Sequence, residues 1–77
     1  MSKLPRNIKG KELISLLERL GFTVIGKRGS HFRLTHSDGR WTQVAVHSKP
    51  IPQGTLRTIL RQMNITPEEF VKFLKKS

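Results

Sequence analysis

Apolar residues recur at helical spacing over residues 10–20, where Leu13, Ile14, Leu16, Leu17 and Leu20 form one broad stripe and Lys11, Glu12, Glu18 and Arg19 lie away from it. Gly21 follows as the left-handed residue that stops a helix. The period then changes. Residues 22–28 are rich in aromatic and β-branched side chains and end at Gly29, which reads as a strand; two more strands are predicted over residues 31–36 and 40–46. A second helix begins near Gln53 or Gly54, buries Leu56, Ile59, Leu60 and Met63, and ends at Asn64, a residue that tolerates the left-handed region. Thr66-Pro67-Glu68-Glu69 then combines an N-cap, a proline at the first helical position and a capping-box glutamate. Phe70, Phe73 and Leu74 form the apolar stripe of that third helix, and Lys72, Lys75 and Lys76 suit its C-terminal end.

The register of the second hairpin follows from its side chains. A three-residue loop, Ser37-Asp38-Gly39 with Gly39 left-handed, pairs His36 with Arg40, Leu34 with Thr42 and Phe32 with Val44, so the apolar pairs share one face. A two-residue loop would set Leu34 against Gln43 and join a buried face to a wet one. The favoured register sends His31, Arg33 and Thr35 to the opposite face, with Trp41, Gln43, Ala45 and His47. Ala45 lies directly across from His31 and is too small to shield it, while His47 is a diagonal neighbour at roughly 7 to 8 Å. The expected architecture is a single α+β domain over residues 1–77: helix, three-stranded antiparallel sheet, helix and short C-terminal helix, with the helices covering one sheet face.

Composition says what such a fold would meet. Fifteen Lys and Arg against five Asp and Glu give a formal charge of +10 on 77 residues, a field that draws polyanions. A chain this short buries only about 60% of the surface its unfolded form exposes, so its core is small. There is no cysteine to form a disulfide or thiolate metal site. The first six residues lack the apolar run of a secretory signal and no stretch reaches membrane-spanning length, which makes the cytoplasm the expected compartment and a membrane partner unexpected.

The candidate chemistry centres on Gly29-Ser30-His31, a histidine delivered by a tight turn onto a strand among cations. Metal-free RNA cleavage needs a 2′-hydroxyl proton removed, a pentacoordinate phosphorane stabilised and a 5′-oxygen protonated. An imidazole can perform the first or last step. Arg33, Lys27 and Arg28 can supply positive charge, Ser30 helps set the turn, and Lys49 can hold a flanking phosphate. His47 reads either as a general acid or as a polar residue that ends a strand. His36, on the helix-covered face beside the loop, reads as structural, its ring bonded to loop backbone. Trp41 can stack on a base or pack on a protein partner. The three histidines are scattered, and no metal-binding spacing or phosphate-cradling loop is present, so neither a metal nor another cofactor is expected.

Taken in order, Gly10-Lys11-Glu12-Leu13, Leu20-Gly21-Phe22, Gly29-Ser30-His31, His47, Gly54-Thr55-Leu56-Arg57 with Ile59-Leu60, and Ile65-Thr66 with Glu69-Phe70 resemble HicA-type toxins of bacterial toxin-antitoxin modules over about residues 9–74. Asn64 stands where many relatives carry glycine. The resemblance implies a fold like the double-stranded RNA-binding domain and an mRNA interferase, an endoribonuclease that stops growth. It also implies a HicB-type antitoxin that covers the active site, and a catalytic histidine at His31. A noncatalytic RNA-binding module using the same basic face is the alternative from another class; it predicts salt-sensitive binding without cleavage.

Overall fold

Two helices end in the same way because two different residues reach the same backbone conformation. The structure, a computed structural model, describes residues 4–75; the readings of Met1 to Lys3 as non-signal sequence and of Lys76 as a helix-end cation lie outside them. Helix α1 spans Gly10–Arg19 and α2 spans Gln53–Gln62. After α1, Gly21 adopts φ 98°; its N–H donates to the Glu18 carbonyl at 3.1 Å and the Phe22 N–H to that of Leu17 at 2.9 Å. After α2, Asn64 adopts φ 57°, and the N–H groups of Asn64 and Ile65 donate to Arg61 and Leu60 at 3.1 and 2.9 Å. Both are Schellman closures, and the residues that such a closure brings together, Phe22 with Leu17 and Ile65 with Leu60, are buried.

Helix α3, Pro67–Lys75, opens with the complete capping box its sequence predicts. The Glu69 N–H donates to Thr66 Oγ1 at 3.1 Å and the Thr66 N–H donates to Glu69 Oε1 at 3.0 Å. The Thr66 backbone N–H, followed by its hydroxyl, holds the Glu69 carboxyl below its ordinary pKa. At α1 only half of such a box forms, with the Lys9 N–H donating to Glu12 Oε1 at 3.2 Å.

Strands β1 (Thr23–Arg28), β2 (His31–Thr35) and β3 (Trp41–Ala45) form one antiparallel sheet in that spatial order, so β2 is central. The β2–β3 register is the predicted one: His31 opposite Ala45, Phe32 opposite Val44, Arg33 opposite Gln43, Leu34 opposite Thr42. Gly39 is left-handed at φ 98°, as the three-residue loop requires. Asp38 organises that loop. Its Oδ1 accepts the Arg40 N–H at 3.0 Å and its Oδ2 accepts Arg40 Nε at 2.7 Å; the backbone bond first, then the guanidinium, lowers the Asp38 pKa. The Arg40 guanidinium also lies 5.2 Å from the Phe22 ring centre and donates to the Met63 carbonyl, fastening the loop to the end of α2.

One face of the sheet is covered and the other is not. Leu34, Val44 and Thr42 are wholly buried beneath the helices, and the Thr42 hydroxyl is satisfied by Gln62 Oε1 at 2.9 Å. Helix α1 packs on β1 and β3, α2 packs on β3, and α3 packs on α2. The core joins Leu13, Leu16 and Leu17 of α1 to Leu56, Ile59 and Leu60 of α2, with Phe70 arriving from α3. This is the α+β arrangement of the double-stranded RNA-binding domain, with the helices on one sheet face. No helix among the described residues is long and apolar enough to cross a membrane.

Strand β1 departs from simple alternation. Its pairing with β2 shifts between Val24 and Gly26, leaving Ile25 as an extra, 57% exposed residue in a β-bulge. Without the bulge, Val24 and Arg28 would share the covered face, since they are four residues apart. With it, Lys27 falls opposite Phe32 on the covered side and Arg28 crosses to stand opposite His31.

Candidate functional site

The open sheet face is built from β-ladder geometry. The Val46 N–H donates to the Ser30 carbonyl at 2.8 Å and the His36 N–H to the Arg40 carbonyl at 2.9 Å. These bonds mark the hydrogen-bonded positions of the β2–β3 ladder, so His31/Ala45, Arg33/Gln43 and Thr35/Trp41 are the alternate, closer pairs, with Cα atoms about 4.5 Å apart. Every closely spaced pair therefore faces away from the helices.

His31 occupies the first position of the central strand. The turn before it contains only Gly29 and Ser30, since Arg28 pairs with His31. Gly29 has φ 58°, the positive value that a two-residue hairpin of the II′ kind requires at its first position. His31 is consequently flanked by Arg28 on β1 and by Ala45 on β3. It is exposed, and among the described residues nothing hydrogen-bonds to its ring.

A shallow groove of about 470 Å³ surrounds it, lined by Gly26, Lys27, Arg28, His31, Arg33 and Gln43. Gly26 lacks a side chain at the point where β1 faces Arg33, and a Cβ there would meet nothing within 4 Å. Arg33 lies over the indole of Trp41, 4.8 Å from its ring centre. That stack holds the guanidinium plane while leaving its N–H edge free for an anion. The field is uncompensated. Between Glu18 and Glu68 the sequence holds one acidic residue, Asp38, and Asp38 is engaged by Arg40 at the far end of the hairpin.

The sequence-predicted residues separate into two groups. Arg28, His31 and Arg33 come together in the groove. Ser30 sits in the turn, and its carbonyl ties β2 to the segment after β3. Lys27 lines the groove too, but the bulge turns its ammonium toward Phe32, 5.2 Å from the centre of that ring. His47 and Lys49 lie beyond Ala45 in a second, smaller pocket with Pro50, Ile51 and Pro52. Gln43 was not among the predicted binding residues, although the register already placed it opposite Arg33.

His36 is structural, as its position predicts. Its ring meets Phe22 edge-on with centres 5.1 Å apart, and its Nδ1 accepts the Asp38 N–H at 3.1 Å. Asp38 Oδ1 is also 3.1 Å from Nδ1; a nitrogen that accepts carries no proton, so that contact becomes an ion pair only when the ring is protonated. Gly21 is needed beneath it, because a Cβ there would come within 2.9 Å of His36 Nε2. Among the described residues no three His, Asp or Glu side chains cluster in a way that could hold a metal ion.

Such a face can do two things: exchange a proton at an accessible imidazole, and bind a phosphodiester beside the Arg28 and Arg33 guanidinium groups. No curated protein matches the chain. A family model described as "HicA toxin of bacterial toxin-antitoxin" matches residues 10–65, from the first residue of α1 to the Schellman closure of α2. The matched span contains the whole sheet and the Gly29-Ser30-His31 turn, and the chain belongs to the HicA toxin family of bacterial toxin-antitoxin modules.

Proposed function

We propose that this toxin is a metal-independent endoribonuclease that cuts mRNA on its uncovered sheet face, with His31 as the proton-transfer residue. The observation that carries the reading is His31 at the mouth of a two-residue turn, flanked by Arg28, with Arg33 on the same face and no carboxylate beside them. The RNA 2′-oxygen attacks phosphorus as the bond to the 5′-oxygen breaks, which leaves a 2′,3′-cyclic phosphate and a 5′-hydroxyl. Neutral His31 accepts the 2′-hydroxyl proton, or protonated His31 delivers one to the leaving 5′-oxygen. Arg28 and Arg33 stabilise the charge that accumulates on the phosphorane. Lys27, through its position at the strand end, and Lys49, beyond Ala45, add positive potential along the path of the chain.

The partner that neutralises the toxin is a HicB-type antitoxin, and its docking surface is the same basic face. An acidic segment laid over His31 and Arg33 would exclude RNA by charge and by volume. The toxin acts in the cytoplasm, where its transcripts are.

The reading is tested by incubating the purified chain with single-stranded RNA in excess EDTA and analysing the product ends. Cleavage with 2′,3′-cyclic phosphate and 5′-hydroxyl ends is expected. RNA bound with a steep salt dependence and never cut would instead identify a binding module.

A further inference from the structure

The pocket beyond Ala45 is not required by the chemistry at His31, yet it is built with care. Ala45, His47, Lys49, Pro50, Ile51 and Pro52 line about 250 Å³, below the roughly 300 to 1,000 Å³ typical of sites for drug-sized ligands. Its floor is fixed from beneath. Ile51 is buried, and its N–H donates to the Ile8 carbonyl at 2.7 Å; Gln53 Nε2 donates to the Leu4 carbonyl at 2.7 Å. Two prolines restrict the backbone on either side of Ile51. The pocket is therefore formed before any ligand arrives.

Its place relative to the groove is set by the ladder. Ala45 is both the closely spaced partner of His31 and a wall of the pocket. A ligand seated there abuts whatever occupies His31. Three properties identify the occupant. The walls are apolar and proline-rich, which suits the apolar faces of a flat heterocycle. The volume holds one ring system, not a helix or strand. The rim carries an imidazole and an ammonium, and Lys49 makes no ion pair among the described residues, so a neighbouring phosphate is attracted where a carboxylate-free apolar side chain would gain nothing.

We propose that this pocket seats one nucleobase of the RNA strand, next to the phosphodiester cleaved at His31, with His47 and Lys49 at its rim. The assignment rests on the RNA-cleavage reading and adds a base-recognition subsite to it. Specificity for one side of the cut bond follows, because the pocket is lined from Ala45 onward, past the end of β3.

The test uses the full chain and short oligonucleotides containing a single ribonucleotide among deoxynucleotides, which fixes the cut bond. One abasic residue is then moved through the flanking positions. Loss of the buried base is expected to lower kcat/KM about ten-fold or more at one position adjacent to the cut, and less than about two-fold elsewhere. Equal losses on both sides, or none, overturn the proposal. Binding is read separately with His31→Ala by amide NMR. Resonances of Ala45, Lys49 and Ile51 should shift with the intact oligonucleotide and revert with the abasic one. If they respond to neither, or only to a protein partner, the pocket does not hold a base. Should the parent cut no oligonucleotide, the cleavage reading fails while the binding experiment still decides the pocket.

Discussion

His31→Ala is expected to lower RNA cleavage by about 10²- to 10⁴-fold, the range a positioned proton-transfer group contributes, while leaving the fold intact. Both halves of that expectation come from the open face. His31 is the one imidazole among the residues that line the groove, and no carboxylate lines it. The remaining activity would come from the guanidinium groups and from positioning. Stability should barely move, because His31 is exposed and nothing among the described residues hydrogen-bonds to its ring; surface changes of this kind stay within about 0.5 kcal/mol. Single-turnover cleavage and thermal unfolding of the same preparation check the two halves. A folded His31→Ala chain that cleaves at the parental rate removes His31 from the chemistry.

Phe70→Ala should have the largest effect on stability. Phe70 is 1% exposed and is the residue of α3 that reaches full burial, so α3 is held on α2 chiefly through it. Truncating a buried phenylalanine costs about 3 to 5 kcal/mol. A domain of this length is worth about 4 to 12 kcal/mol in total, which puts the variant near the edge of folding. With about 4 to 8 °C lost per kcal/mol in a small domain, Tm should fall by at least about 12 °C. The family match ends at residue 65, before α3 begins, so the result also tests whether this last helix belongs to the cooperative unit. A loss under about 1 kcal/mol would show α3 to be a loosely attached appendage.

Much of this was legible because local chemistry and global packing agree. The apolar pairs Leu34/Thr42 and Phe32/Val44 fixed the β2–β3 register, and the register alone sent His31 and Arg33 to the same face as Ala45 and Trp41. The capping box at Thr66 and the left-handed Asn64 were readable one residue at a time. What escaped was the β1 bulge. A single extra residue inverts every side chain beyond it, and it reversed the relation between Lys27 and Arg28: the ammonium turned to Phe32, the guanidinium to His31. Gly26 inside the strand was the available signal, since an interior glycine often marks a bulge. The separation of His47 from the groove depends on how the loop through residues 46–52 folds back to the Ile8 carbonyl. That contact is long-range, and no local pattern encodes it.

The central claim is that a particular face works on RNA, not that the chain is merely basic. Two double variants with the same change of charge separate these ideas: Arg28→Gln with Arg33→Gln on the open sheet face, and Arg57→Gln with Arg61→Gln on the exposed side of α2. Each charged hydrogen bond to phosphate is worth about 1.5 to 3 kcal/mol. The measurement is kcat/KM for RNA cleavage at fixed salt. A loss of about a hundred-fold or more for the sheet pair, against a few-fold for the helix pair, is the predicted result; equal losses for the two pairs would contradict the account.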